Sequence, residues 1–337
     1  SYLRGYEKYA AASPLLVVVE TLCELVLPLL MARIINQGIE GNDLAVIWQS
    51  GALMVAVALV ATAAGGLAAR CATYAAQGLG ANLRQAEFEK IASFSFADID
   101  RFSSSSLITR LTNDLTNIQN VAIMCLRVLI RGVTMTVASV ILTLAISPRL
   151  ALVVCVVLPF MAAALGLLMK ICFPLFEKMQ KALDHLNETV QENLIAVRVV
   201  KSYVREDRER EKFTRANDGF TAAGLSAVLR IVAIQPVMMI CFSVATVLVL
   251  YHGGNMVLGG ELEIGYLQTV TGYIMQILMS AMMIGMAVLQ YTRAQASIRR
   301  VFEVLDAQSA ITDGGAADLP APRGRVEFQD VSFRYQT

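Results

Sequence analysis

The chain has 337 residues, 56% hydrophobic and 16% charged, against about 45–50% and about 25% in ordinary soluble domains, which excludes a soluble globular protein and points to an integral membrane protein. The formal net charge of +1 leaves no basic excess for a nucleic-acid partner, so the information lies in where the charges fall.

The first thirteen residues, SYLRGYEKYAAAS, carry aromatic and basic groups but no short apolar core with a cleavage site. They read as an amphipathic helix on the cytoplasmic surface, not a secretory signal. Six apolar segments follow, approximately Pro14–Ile35, Leu44–Ala69, Val121–Ile146, Leu150–Met169, Ile231–Leu258 and Ile264–Leu289, each long enough for the roughly 20 residues of a spanning helix. The predicted fold is an all-α membrane protein of six long transmembrane helices occupying residues 14–306. The first, third and fifth links are short and carry Glu40, Asp43, Glu261 and Glu263 with little basic charge besides Arg149. The second and fourth links are long and basic, so both termini and both long links are expected in the cytoplasm of a cell inner (plasma) membrane protein.

The long links contain almost no proline and keep apolar residues at helical spacing, so they read as helices running out of the bilayer. An unbroken helix from Leu44 to about Ser93 would be about 75 Å long, against a hydrocarbon core of about 30 Å. The same holds from Leu150 to about Ser202, where Pro159 and Pro174 are expected to bend the helix. Each projecting pair ends in a break: Ser93–Phe102 is predicted as a short crossing helix followed by a serine cap at Ser103–Ser106, and Ser202–Phe213 is dense in charge. After the sixth segment comes a basic helix, Arg293–Asp306, then a linker rich in Gly, Ala, Asp and Pro over 307–323. The final stretch, GRVEFQDVSFRY from Gly324 to Tyr335, has a broken period of two that predicts a pair of short strands over 324–337.

Cys23, Cys71, Cys125, Cys155, Cys172 and Cys241 mostly fall in or beside apolar runs without paired spacing and read as packing residues. His185 and His252 are isolated, so neither metal binding nor histidine catalysis is expected. Charges within the apolar segments are costly unless paired or wet. By helix rise, Glu20 and Arg131 each lie about 24 Å from the outer ends of their segments, and Glu24 about 18 Å. The depths predict an intramembrane pair of Glu20 with Arg131, leaving Glu24 without a basic residue at its own depth and facing a cavity where it would favour cationic cargo; one network joining both glutamates to Arg127 and Arg131 is the alternative. Met275, Met279, Met282, Met283 and Met286, with Gln276, form a soft, polarizable stripe on the sixth segment, read either as cavity lining or as packing. Pro236 is expected to kink the fifth.

The run FSSSSLITRLTND from Phe102 to Asp114, the run VRVVKSY from Val197 to Tyr203, MARIINQGI at Met31–Ile39 and QILMSAMMIGM at Gln276–Met286 resemble the transmembrane half of an ATP-binding cassette (ABC) exporter, most of all a subunit of heterodimeric multidrug-type exporters. The resemblance covers the whole chain and makes the last stretch the start of a truncated nucleotide-binding domain. It implies coupling contacts with nucleotide-binding domains through Phe96, Asp98, Asp100, Arg101 and Phe102 at the first tip and Tyr203, Arg205, Glu206, Asp207 and Phe213 at the second. Tyr335 would stack on the adenine of ATP. It further implies a second half-transporter as partner, a heterodimer before a homodimer, contact with membrane lipids, and outward movement of small amphipathic substrates by alternating access. A lipid flippase of the same fold and a six-span channel or scaffold without ATP are the alternatives. No G-x-x-x-x-G-K-[ST] phosphate loop, acidic strand end or signature motif is present, so the chain as given is not expected to hydrolyse ATP, and ATP with Mg belongs to a longer parent.

Overall fold

The computed structural model describes residues 2–95, 98–99, 102–308, 324 and 326–332. Among these residues six long helices follow one another: α1 Glu7–Ile39, α2 Leu44–Ala92, α3 Ser104–Ile146, α4 Pro148–Ser202, α5 Glu206–Leu258 and α6 Ile264–Asp306. Each holds one of the predicted apolar segments and is long and apolar enough to cross a bilayer; the protein is a multi-pass membrane protein. At 49, 55 and 53 residues, α2, α4 and α5 are about 74, 83 and 80 Å long, more than twice the hydrocarbon thickness. The predicted projections are therefore continuous helix. Pro159 and Pro174 lie inside α4 without ending it. In α5 the helix is interrupted at Ala233, three residues before Pro236, whose missing N–H leaves the Val232 carbonyl unpaired and whose ring crowds that turn.

The helix ends follow local chemistry. α1, α4 and α5 each finish in a residue with positive φ, Asn42 at 53°, Val204 at 50° and Gly260 at 72°. In each case the next N–H reaches five residues back: Asp43 to Gly38 O, Arg205 to Val200 O and Glu261 to Met256 O, all at 2.9–3.0 Å. This is the Schellman closure, which satisfies carbonyls that a helix end otherwise leaves bare. Asp43 then caps α2 through Oδ1, accepting from the Ala45 and Val46 N–H groups at 2.9 and 3.3 Å. Ser147 caps α4, and Ser103 caps α3 by accepting from the Ser106 N–H, as its place in the serine run predicts.

Two expectations are corrected. Residues 2–13 do not form a separate surface helix: Tyr2–Tyr6 are turns and α1 runs without a break from Glu7 through Ser13 and Pro14, because Ala10–Ala12 favour helix and Asn82 holds the preceding turns by donating to the Tyr2 and Arg4 carbonyls at 2.9 and 3.1 Å. The second tip, dense in charge, is a turn. Tyr203–Arg205 make a tight turn, and α5 starts at once because Glu206, Asp207 and Glu209 suit the positive end of its dipole. Residues 326–332 form no strand among the described residues; Val326, Phe328 and Val331 are exposed, and two short strands without a third or a covering helix do not hold together.

The chain divides into two compact units, Ser1–Glu24 with Ala56–Thr134 and Met282–Thr337, and Leu25–Val55 with Met135–Ala281. In the first, α2 presents a buried stripe of Ala61, Ala64, Ala68, Ala72, Ala75 and Ala76, small residues that let α1 approach closely; Ser13 Oγ donates to the Ala68 carbonyl at 3.2 Å. Further along, Leu83 of α2, Leu115 and Ile118 of α3 and Val301 of α6 form a core. In the second unit Leu150 and Val154 of α4, Ala245 and Val249 of α5, and Leu267, Val270, Ile274 and Ile277 of α6 pack together. Tyr273, fully buried, donates to the Leu25 carbonyl at 2.8 Å.

Candidate functional site

Within the first unit a charge cluster lies in the apolar part of the helices. Arg131 Nη1 donates to Glu20 Oε1 at 2.8 Å, and Nη2 donates to both oxygens of Glu24 at 2.8 and 2.9 Å. The predicted Glu20–Arg131 pair is present. The expectation that Glu24 stands free is overturned: the guanidinium fork offers donors to two carboxylates a helical turn apart, and the long Arg side chain spans the difference in depth. Arg127 joins neither carboxylate. Glu20 is 8% exposed and its Oε2 has no hydrogen-bond partner. It sits against Gly65, where a Cβ would fall 2.6 Å from Oε1.

The methionine stripe lies on the open side of α6. Met275, Met279 and Met286 are exposed and Gln276, Met282 and Met283 half-buried, whereas Tyr273, Ile274, Ile277 and Leu278 on the other side are buried. Over this stretch Tyr273, Ile274 and Ile277 go to the core, and Met275 and Met279 are left uncovered.

At the first tip, the expected coupling residues that are described turn inward. Asp98 is buried and accepts from the Ser95 N–H and Oγ at 2.9 and 2.7 Å, a capping contact. Phe102 is buried, stacks on Phe94 at 5.6 Å and lies under the Arg110 guanidinium at 5.0 Å. Phe96, Asp100, Arg101 and Tyr335 lie outside the described residues. At the second tip the residues face outward: Tyr203 is 75% and Val204 81% exposed, Arg205 and Asp207 are exposed, and Lys201 Nζ donates to Glu206 at 2.8 Å. Phe213 borders an open apolar groove between α4 and α5 with Val190, Leu194 and Val197.

Sequence reasoning missed a second polar cluster, in the first unit where α2 and α3 run beyond their apolar segments. Arg300 of α6 clasps Asp114 of α3 with two bonds, 2.8 and 2.5 Å; these contacts, with the help of Ser297, outweigh burial and hold the Asp114 carboxyl below its ordinary range. Arg110, buried beside it, donates to the Arg300 carbonyl at 2.8 Å and pairs with Glu303 at 3.1 Å. Asn117 donates to Ser297 at 3.1 Å. The signal was the spacing of Arg110 and Asp114, one turn apart in the RLTND run, opposite a basic helix.

The family model for the ABC transporter transmembrane region matches residues 11–282. The chain belongs to this family. The uncharacterized ABC transporter ATP-binding protein YfiB of Bacillus subtilis (strain 168) is 34% identical over 335 residues, covering 99% of this chain and 58% of that protein. An uncharacterized ABC transporter ATP-binding protein of Mycobacterium tuberculosis (strain ATCC 25618 / H37Rv) is 31% identical over 343 residues, with the same coverage of 99% and 58%. A fatty acid ABC transporter ATP-binding/permease protein of Mycobacterium bovis is 27% identical over 296 residues, 88% of this chain and 47% of that protein. The chain therefore spans less than two thirds of the length of the first relatives it matches. Among the described residues there is no group of three or more His, Cys, Asp or Glu that could hold a metal ion.

Proposed function

We propose that the chain is the transmembrane part of an ATP-driven exporter that moves amphipathic molecules out of the cytoplasm by alternating access, with a second half-transporter completing the pathway. The observation that carries this reading is the continuation of α2, α4 and α5 as helix far beyond their apolar segments; such levers serve a soluble engine at their ends. ATP and Mg would be held by residues of the longer parent, and the outward-facing Tyr203–Asp207 turn, together with Phe213, is the contact through which closure of the ATP-binding part would act. A channel or scaffold has no use for these projections.

The cargo reading shifts from the one sequence alone suggests. With Glu24 engaged by Arg131, a cation finds no free carboxylate there, and the uncovered face of Met275, Met279 and Met286 favours an apolar or amphipathic group. A lipid-like cargo is the second reading, in keeping with the relative named as a fatty acid transporter. The test is ATP-dependent uptake into inverted proteoliposomes carrying the full-length protein and its partner, with an amphipathic dye and a fluorescent fatty acid compared. Met275→Ala, Met279→Ala and Met286→Ala together are expected to lower transport several-fold at an almost unchanged unfolding midpoint, since these side chains are exposed. Unchanged transport would remove α6 from the pathway.

A further inference from the structure

Glu87 lies on α2 between the core residues Leu83 and Ile91, is 0% exposed, and has no hydrogen-bond partner for either carboxylate oxygen. A buried ion in that position is expensive. The charged groups around it are already committed. On α3, Asp114 is held by Arg300 and Arg110 is turned toward α6, where it meets Glu303 and the Arg300 carbonyl. On α2 itself, Arg84 donates to the Leu111 carbonyl at 3.2 Å, and Lys90 is half-buried a turn away. None of Arg84, Lys90, Arg110 and Arg300 donates to either Glu87 oxygen. Arg110 also has a buried Nε without a partner. Arg110 is near enough for its charge to act on the Glu87 carboxyl.

We infer that Glu87 carries a proton in this arrangement, and that losing it draws Arg110 away from α6 toward α2, loosening the clasp between α3 and α6. The proton moves to bulk water and no bond other than O–H breaks. Two arrangements of Arg110 therefore exist, one satisfying Glu303 and the Arg300 carbonyl, the other satisfying Glu87, and pH chooses between them. The full burial of Glu87 with both oxygens unpartnered, and the unpartnered Nε of Arg110, carry this; the direction of the titration agrees. Burial, the largest effect, and the neighbouring Asp114 charge raise the carboxyl from 4.5 to about 7, against the lowering influence of Arg110. Because the folded form holds its proton more tightly than the unfolded one, the contribution to stability is full at acid pH and is lost as pH rises through about 7. The clasp is thus expected to be firm below neutrality and looser above it. Since α6 leads to the C-terminal end of the chain, a looser clasp alters what α6 can transmit.

The test uses the full-length protein in lipid nanodiscs. An infrared pH titration should show a protonated-carboxyl band that disappears around neutrality in the wild type and is absent from Glu87→Gln. Hydrogen exchange of residues 297–306, compared between the two proteins at the same pH so that the intrinsic rate cancels, should be equal at about pH 5.5 and several-fold faster in the wild type at about pH 8.5. Glu87→Leu, which fills the space without polar atoms, serves as the second variant and should behave as Glu87→Gln does. Identical infrared titrations in wild type and variants, or an exchange ratio that does not change with pH, would overturn the proposal.

Discussion

Arg131 serves two acids because a guanidinium presents donors on both Nη atoms in a fixed fork. Depth counting along helices finds Glu20 and Arg131 at one level, and that much was legible in the sequence; what it could not find is that one long side chain also reaches the next turn. The same site shows why Gly65 is a glycine. A Cβ there would stand 2.6 Å from Glu20 Oε1 and 2.7 Å from its carboxyl carbon, so Gly65→Ala requires the end of the Glu20 side chain to shift, which strains its bond to Arg131. Arg131 keeps its bonds to Glu24, so the loss is that of one charge-assisted hydrogen bond at most, about 1.5–3 kcal/mol, and the unfolding midpoint of Gly65→Ala should drop accordingly. In a Glu20→Ala background the same change should cost far less, since the clash and the pair are both gone. Additive losses in the double variant would show that Gly65 matters for another reason.

At the scale of an element, the α4–α5 turn is closed by a β-branched residue where the geometry asks for glycine. Asn42 and Gly260 do the equivalent work at the ends of α1 and α5 with residues that tolerate a left-handed backbone. Val204 does not, and its side chain is almost wholly exposed, so little packing offsets the strain of about 1–2 kcal/mol. Val204→Gly should therefore raise the unfolding midpoint slightly, by the equivalent of about 0.5–1 kcal/mol after the greater entropy of glycine in the unfolded chain is subtracted; a lowered midpoint would mean that the valine side chain is held by something. The sequence signalled a break here through its density of charge, but not its form, because a valine in a Schellman position contradicts propensity. The caps at Asp43, Ser103 and Ser147 are the opposite case: the residue type and the place agree, and Ser103 was readable in advance.

For the molecule as a whole, hydrophobic runs, link lengths and the sidedness of basic residues suffice to lay out six helices and their projections, since burial in lipid imposes those patterns on composition. Pairings across helices, such as Asp114 with Arg300 or Arg110 with Glu303, leave no periodic trace, and the first tip shows the consequence: Asp98 and Phe102, expected to meet a partner, are spent on the tip's own capping and stacking. At the second tip, by contrast, Tyr203 is uncovered. An exposed aromatic on a strained turn contributes little to folding, so Tyr203→Ser should leave the unfolding midpoint within about 0.5 kcal/mol of the wild type. If that side chain transmits movement between the levers and the ATP-binding part, transport and its stimulation of ATP hydrolysis should both fall several-fold in the full-length protein reconstituted with its partner. Transport at the wild-type level would place the coupling contact elsewhere on the α4–α5 hairpin, with Phe213 and its groove as the next residues to change.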